Sequence, residues 1–89
     1  MKKLGMIRDP RLRLRRAIPV MEKRFGDEIF LWSRPLSLFG TGRSFGEAAE
    51  DFARSVVELY WLLKESELGP GLMREWKFAQ QYIEEREAA

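Results

Sequence analysis

A chain of 89 residues, 45% hydrophobic and 34% charged, has the size and balance of one small folded domain rather than a disordered segment. It has no cysteine and no histidine, which removes disulfides, thiolate chemistry, and the commonest general base and metal ligand. The net charge is +2 but unevenly spread: residues 1–45 carry 11 basic and 4 acidic side chains (net +7), residues 46–89 carry 5 and 10 (net −5). Such asymmetry suits a basic arm for nucleic acid, or complementary faces that meet a partner. No apolar run approaches the roughly 20 residues of a membrane span, and the start has no signal-like apolar stretch. The expectation is no membrane partner and a cytoplasmic location.

Residues 1–10 show no period and end at Pro10; they read as an N-terminal arm or a short edge element. From Arg11 the chain alternates: Leu12, Leu14, Ile18 and Val20 share one parity, the period-2 pattern of a half-buried strand. Arg16 breaks the parity and Pro19 lacks an amide donor, so this reads as an edge strand, or one with a bulge near 16–19. Phe25-Gly26-Asp27-Glu28 is a turn signal, and Glu28–Ser33 reads as a second strand rich in β-branched and aromatic residues. After Pro35, Leu36–Gly40 resumes alternation as a third strand. Three strands with short links predict an antiparallel meander over residues 11–43.

Ser44-Phe45-Gly46-Glu47 matches a capping box, with the serine hydroxyl on the amide of Glu47 and the glutamate reaching back. Phe45, Ala49, Phe52, Val56, Leu59, Tyr60 and Leu63 follow at helical spacing, predicting a long helix over 44–67. Leu68-Gly69-Pro70-Gly71 stops it. A C-terminal helix is expected over about 72–87, with Leu72, Trp76, Ala79 and Ile83 inward. Residues 11–89 then form one α+β domain.

The candidate sites are few. Gly40, Gly42 and Gly46 precede a helix, as in phosphate-binding loops, but the spacing is G-x-G-x-x-x-G and no second βα unit follows. A sheet-to-helix turn explains these glycines better. Arg11, Arg13, Arg15 and Arg16 form a basic patch that either contacts phosphates or blunts a sheet edge against aggregation. The carboxylates do not converge on a two-metal arrangement, so no catalytic residue, metal or cofactor is assigned. Val57, Trp61, Phe78 and Tyr82 lie off the main apolar stripes. They either pack the two helices together or form an interface in a homodimer.

Residues 17–63, "AIPVMEKRFGDEIFLWSRPLSLFGTGRSFGEAAEDFARSVVELYWLL", resemble the HicB-like antitoxin family. Glu22, Gly26, Pro35, Leu36 (displaced by one), Gly40 or Gly42, Ser44, Glu47 and Ala48 carry the resemblance. It implies a small sheet with a packed helix, like a truncated RNase H. It also implies a non-enzymatic partner of a small ribonuclease toxin, commonly dimeric. Many members add a C-terminal DNA-binding domain. The single helix after residue 71 is too short for one, so the chain is similar to stand-alone HicB-like proteins.

Together these readings predict a three-stranded antiparallel sheet under a long helix, plus a C-terminal helix. The expected function is protein interaction, by self-association or with a toxin. The alternative is nucleic-acid binding through the arginine strand.

Overall fold

The structure, a computed structural model, describes residues 2–86. The element order is β1 (Lys2–Leu4), β2 (Leu12–Leu14), β3 (Ile18–Phe25), β4 (Glu28–Ser33), β5 (Leu38–Gly42), α1 (Phe45–Glu65), α2 (Pro70–Tyr82) and β6 (Ile83–Glu85). The α+β class stands, but the expected three-stranded sheet is corrected. Among the described residues the main sheet has four antiparallel strands in the order β1-β3-β4-β5, and β2 pairs with β6 in a second sheet.

Two features follow from where apolar side chains go. Of the two readings of the first ten residues, the short edge element is the one seen: Leu4 is buried, and Lys2–Leu4 pairs with Val20–Ile18 at the sheet edge. The run from Arg11 to Val20 is not one strand. Leu12 and Ile18 share a parity, yet the chain breaks at Arg15–Ala17 and sends its halves to different sheets. The hairpin between β3 and β4 turns at Gly26, whose φ of 60° suits the first position of a two-residue hairpin loop.

The long helix starts where the capping pattern places it. Ser44 Oγ accepts the Glu47 amide at 3.1 Å, and Glu47 Oε1 accepts the amide of Arg43 at 3.1 Å, one residue earlier than a standard box. Its end comes at Glu65, where the Ser66 hydroxyl donates to the Leu62 carbonyl at 2.6 Å. Ala48, Phe52, Val56 and Tyr60 are buried against the sheet, together with Ile18, Val20, Ile29 and Leu31. Ser44→Ala should cost about 1 kcal/mol and lower Tm by roughly 4–8 °C in a thermal melt.

The second helix begins with Pro70 at its first turn and ends at Tyr82, short of the expected 87. Ile83 leaves the helix with φ −125° and ψ 136°. There Leu14 faces Ile83 and Arg13 faces Glu84, an apolar pair beside a charge pair across the two strands. These tertiary contacts override the helical propensity of the segment. Leu72, expected inward, is 44% exposed, while Ala79 and Ile83 are buried.

The result is a slab of 39 × 34 × 19 Å. That is about two layers thick, with α1 packed on one side of the main sheet.

Candidate functional site: the uncovered face of the sheet

Strand alternation divides the main sheet cleanly. Ile29, Leu31 and Ser33 of β4 point under α1; Glu28, Phe30 and Trp32 point the other way. Register carries this across the sheet. Met21 pairs with Trp32, Lys23 with Phe30 and Phe25 with Glu28, and on the other side Trp32 pairs with Phe39 and Phe30 with Thr41. Pro19 and Lys3 continue the same face toward β1.

Among the described residues no element covers the middle of this face. Met21 is 50% exposed, Phe25 56% and Phe39 64%, three of the most exposed large apolar side chains in the domain. The Phe25 and Phe30 rings meet edge-on at 5.3 Å, with the Lys23 ammonium 5.2 Å from the Phe25 centroid. Beside Trp32 lies an apolar groove of about 350 Å³, walled by Pro19, Met21, Arg34, Pro35 and Phe78. Monomeric domains seldom leave such contiguous apolar surface in water, and when they do it marks a contact site. The signal was present in the sequence as Phe30 and Trp32 two residues apart. Only the strand register shows that Met21 and Phe39 join them.

The four residues expected either to pack the two helices together or to form an interface lie away from the middle of this face. Val57, Trp61, Phe78 and Tyr82 are each half-buried and packed against the domain's own core. The Trp61 indole donates to Asp9 at 2.9 Å, and its ring lies 4.2 Å beneath the Arg11 guanidinium. Phe78 and Tyr82 contact each other at 4.9 Å. Phe78 alone of the four reaches the open face, as a wall of the groove.

The basic patch is likewise knitted into the fold. Arg13 and Arg15 both pair with Glu84, Arg11 pairs with Asp9, and Arg16 lies 4.5 Å over the Tyr82 ring. These guanidiniums remain more than half exposed where they form ion pairs, so each pair contributes little to stability. Together they fasten the C-terminal strand. Glu85 adds to that clasp by accepting from the Tyr60 hydroxyl at 2.9 Å and the Lys64 ammonium at 2.6 Å.

The clasp is sensitive to pH at both ends. The hydrogen bond from Lys64, with that from Tyr60, holds the Glu85 carboxyl below its ordinary value. Burial works against ionised Asp9, whose side chain is only 8% exposed. The Arg11 amide, the Trp61 indole and the Arg11 guanidinium outweigh it and lower the pKa. Both contributions are full above the ordinary values of 3.8 and 4.5 and fade as pH falls below them. Tyr60 is the opposite case: burial and the Glu85 bond push it up to about 12, so stability declines as pH rises past its ordinary 10.0. In hydrogen exchange at pH 3, the amides of Arg15 and Arg86, which bond to Tyr82 and Arg11 carbonyls across β2 and β6, should exchange faster relative to β4 than at pH 7. An unchanged ratio would contradict this.

The glycines near the helix start serve packing. A Cβ on Gly40 would lie 2.7 Å from Phe52 Cα, and one on Gly42 2.5 Å from the Ala48 amide nitrogen. The α1 backbone occupies the space beside both glycines. The Thr41 amide donates to Asp51 at 2.9 Å. That bond caps part of the β5 edge against pairing with another strand.

Among the described residues no three acidic side chains converge to hold a metal ion, and no helix is long and apolar enough to cross a membrane. Comparison with protein-family models, curated proteins and solved structures finds no match to this chain.

Proposed function

We propose that this chain is a non-enzymatic protein-interaction module that engages its partner through the uncovered face of its main sheet. The observation that carries the reading is the row of Met21, Trp32 and Phe39 across three adjacent strands, with Phe25 and Phe30 beside it. Covering these side chains is favourable by about 25 cal/mol per Å² of apolar surface, and among the described residues Met21, Phe25 and Phe39 stay at least half exposed. The resemblance of residues 17–63 to HicB-like antitoxins supplies a partner class, a small ribonuclease toxin in the cytoplasm. The arginine patch supports nucleic-acid binding less well, because its side chains already hold Glu84, Asp9 and Tyr82.

A growth assay tests this. A small ribonuclease encoded beside this gene would be co-expressed with the wild-type chain or with Met21→Lys plus Phe39→Lys. Both positions are exposed, so the variant should fold, as circular dichroism would verify. Wild type should restore growth and the variant should not. Failure of the wild type against an active ribonuclease, or equal rescue by the variant, would overturn the proposal.

A further inference from the structure

The groove beside Trp32 combines apolar walls with a single charge. Pro19 and Met21 come from β3, Trp32 from β4, Arg34 and Pro35 from the turn that follows, and Phe78 from α2. Its volume is about 350 Å³, and Arg34 is the one charged residue in its lining. Ser33, the other polar residue there, is already engaged: it is buried and its Oγ accepts the Leu36 amide at 3.3 Å. Arg34 is exposed and takes part in no ion pair among the described residues. The acid that alternation places on the same side, Glu28, stands at the far end of β4, roughly 20 Å away at about 3.3 Å per residue.

The walls are held in place before anything binds. Pro19 and Pro35 have fixed φ, and the turn after β4 is closed by the Ser37 amide, which donates to the Arg34 carbonyl at 3.1 Å. Phe78 is braced by Tyr82, 4.9 Å away, and the Arg16 guanidinium lies over the Tyr82 ring. A preformed pocket needs little ordering on binding. An apolar cavity of about 150 Å³ is enough to hold benzene, so this groove admits a phenyl or indole ring. Trp32 and Phe78 offer such a ring aromatic contacts, and Met21 offers a thioether.

We propose that this groove receives one aromatic side chain of the protein partner, and that Arg34 pairs with a carboxylate on the residue next to it in the partner's chain. The inference rests on the reading of this face as the contact surface, and names what the partner must bring to it. Arg34 lines the groove itself, so its anion must lie close to the ring, and neighbouring residues in a chain have Cα atoms only about 3.8 Å apart. The guanidinium fork takes a carboxylate through two parallel hydrogen bonds. Burial of the ring supplies the affinity, while the arginine fixes its orientation and rejects basic partners. A single-stranded nucleic acid would also stack on Trp32, but it needs a row of cations along its backbone, and the groove has one.

Random heptapeptides displayed on phage and selected on the immobilised full chain provide the test. Enriched sequences should carry Trp, Phe or Tyr beside Asp or Glu. A synthetic copy should bind Arg34→Glu roughly tenfold or more weakly than wild type, because like charges then meet. Selection on Arg34→Glu should replace the acid by Lys or Arg. Arg34 is exposed, so the variant should fold, as circular dichroism would verify. Leu62→Lys, exposed on α1, should bind like wild type. No enrichment, enriched sequences without an acid beside the ring, or equal binding by Arg34→Glu would each overturn the inference. So would a wild-type dimer that Arg34→Glu dissociates, or capture of a fluorescent oligouridine that the same variant loses. In the growth assay, rescue that Met21→Lys plus Phe39→Lys abolishes but Arg34→Glu keeps would sink the anchor alone and leave the function proposed above standing.

Discussion

Gly40→Ala should be the most damaging methyl group that can be added to this protein. The α1 backbone crosses β5 at Gly40, where a Cβ would sit 2.7 Å from both Cα and Cβ of Phe52. Backbone cannot swing aside as a side chain tip would. The helix must lift from β5, its most extensive neighbour, and the core beneath must open. Overpacking of this kind costs about 3 kcal/mol, which lowers Tm by roughly 12–24 °C in a domain of this size. Gly42→Ala should behave similarly, since its Cβ meets the helix backbone at Ala48. Thermal melts of the two variants check this, and a shift within a few degrees would show that the helix is free to move.

Phe52→Ala should be comparably severe for the opposite reason. Phe52 is fully buried and the largest such side chain in the core. It projects from the helix just where Gly40 lets the helix approach. Truncation leaves a cavity under a helix that cannot collapse further, because β5 is already in contact with its backbone. The expected loss is about 3–5 kcal/mol, a large share of the roughly 5–15 kcal/mol that holds a domain folded. Denaturant unfolding should show a much lower midpoint with an unchanged slope. The contrast with Phe39 is informative: Phe39→Ala, on a side chain 64% exposed, should leave the midpoint nearly unmoved in dilute monomer.

Legibility in the sequence followed how local each signal is. Glu28–Ser33 was readable to the residue, because alternation and a glycine turn define a strand without outside help. Ser44 and Glu47 announced the helix start for the same reason. What failed depended on distant partners. Leu12 and Ile18 share a parity, and nothing local reveals that Leu12 packs near Ile83 in one sheet while Ile18 lies in another. For Lys2–Leu4 the choice between an arm and a short edge element could not be made locally, because the strand exists only where β3 offers an edge to it. Tyr82–Glu85 has helical composition, and Ile83 turns extended because β2 provides both an apolar neighbour and arginines for Glu84.

The open face was half legible. Phe30 and Trp32 could be placed on one side of β4, but whether that side faced a helix, a partner or water required the layer count. Spare aromatics on the helices drew attention to Val57, Trp61, Phe78 and Tyr82 instead. The N-terminal arginines and Asp9 help cover them: Arg11 and Asp9 close over Trp61, and Arg16 over Tyr82. The charge asymmetry between the two halves is therefore largely used inside the fold, with Arg13 and Arg15 on Glu84 and Arg8 on Glu50.

The claim that the uncovered sheet face is the working surface is tested most directly by hydroxyl-radical footprinting, in cells and on the isolated protein at high dilution. Met21, Phe25, Trp32 and Phe39 should be strongly protected in cells and reactive in dilute solution. Leu62, Leu72 and Met73, exposed on the helices, should react alike in both. Equal reactivity of Met21 and Phe39 under the two conditions, with protection appearing on the helices instead, would contradict it.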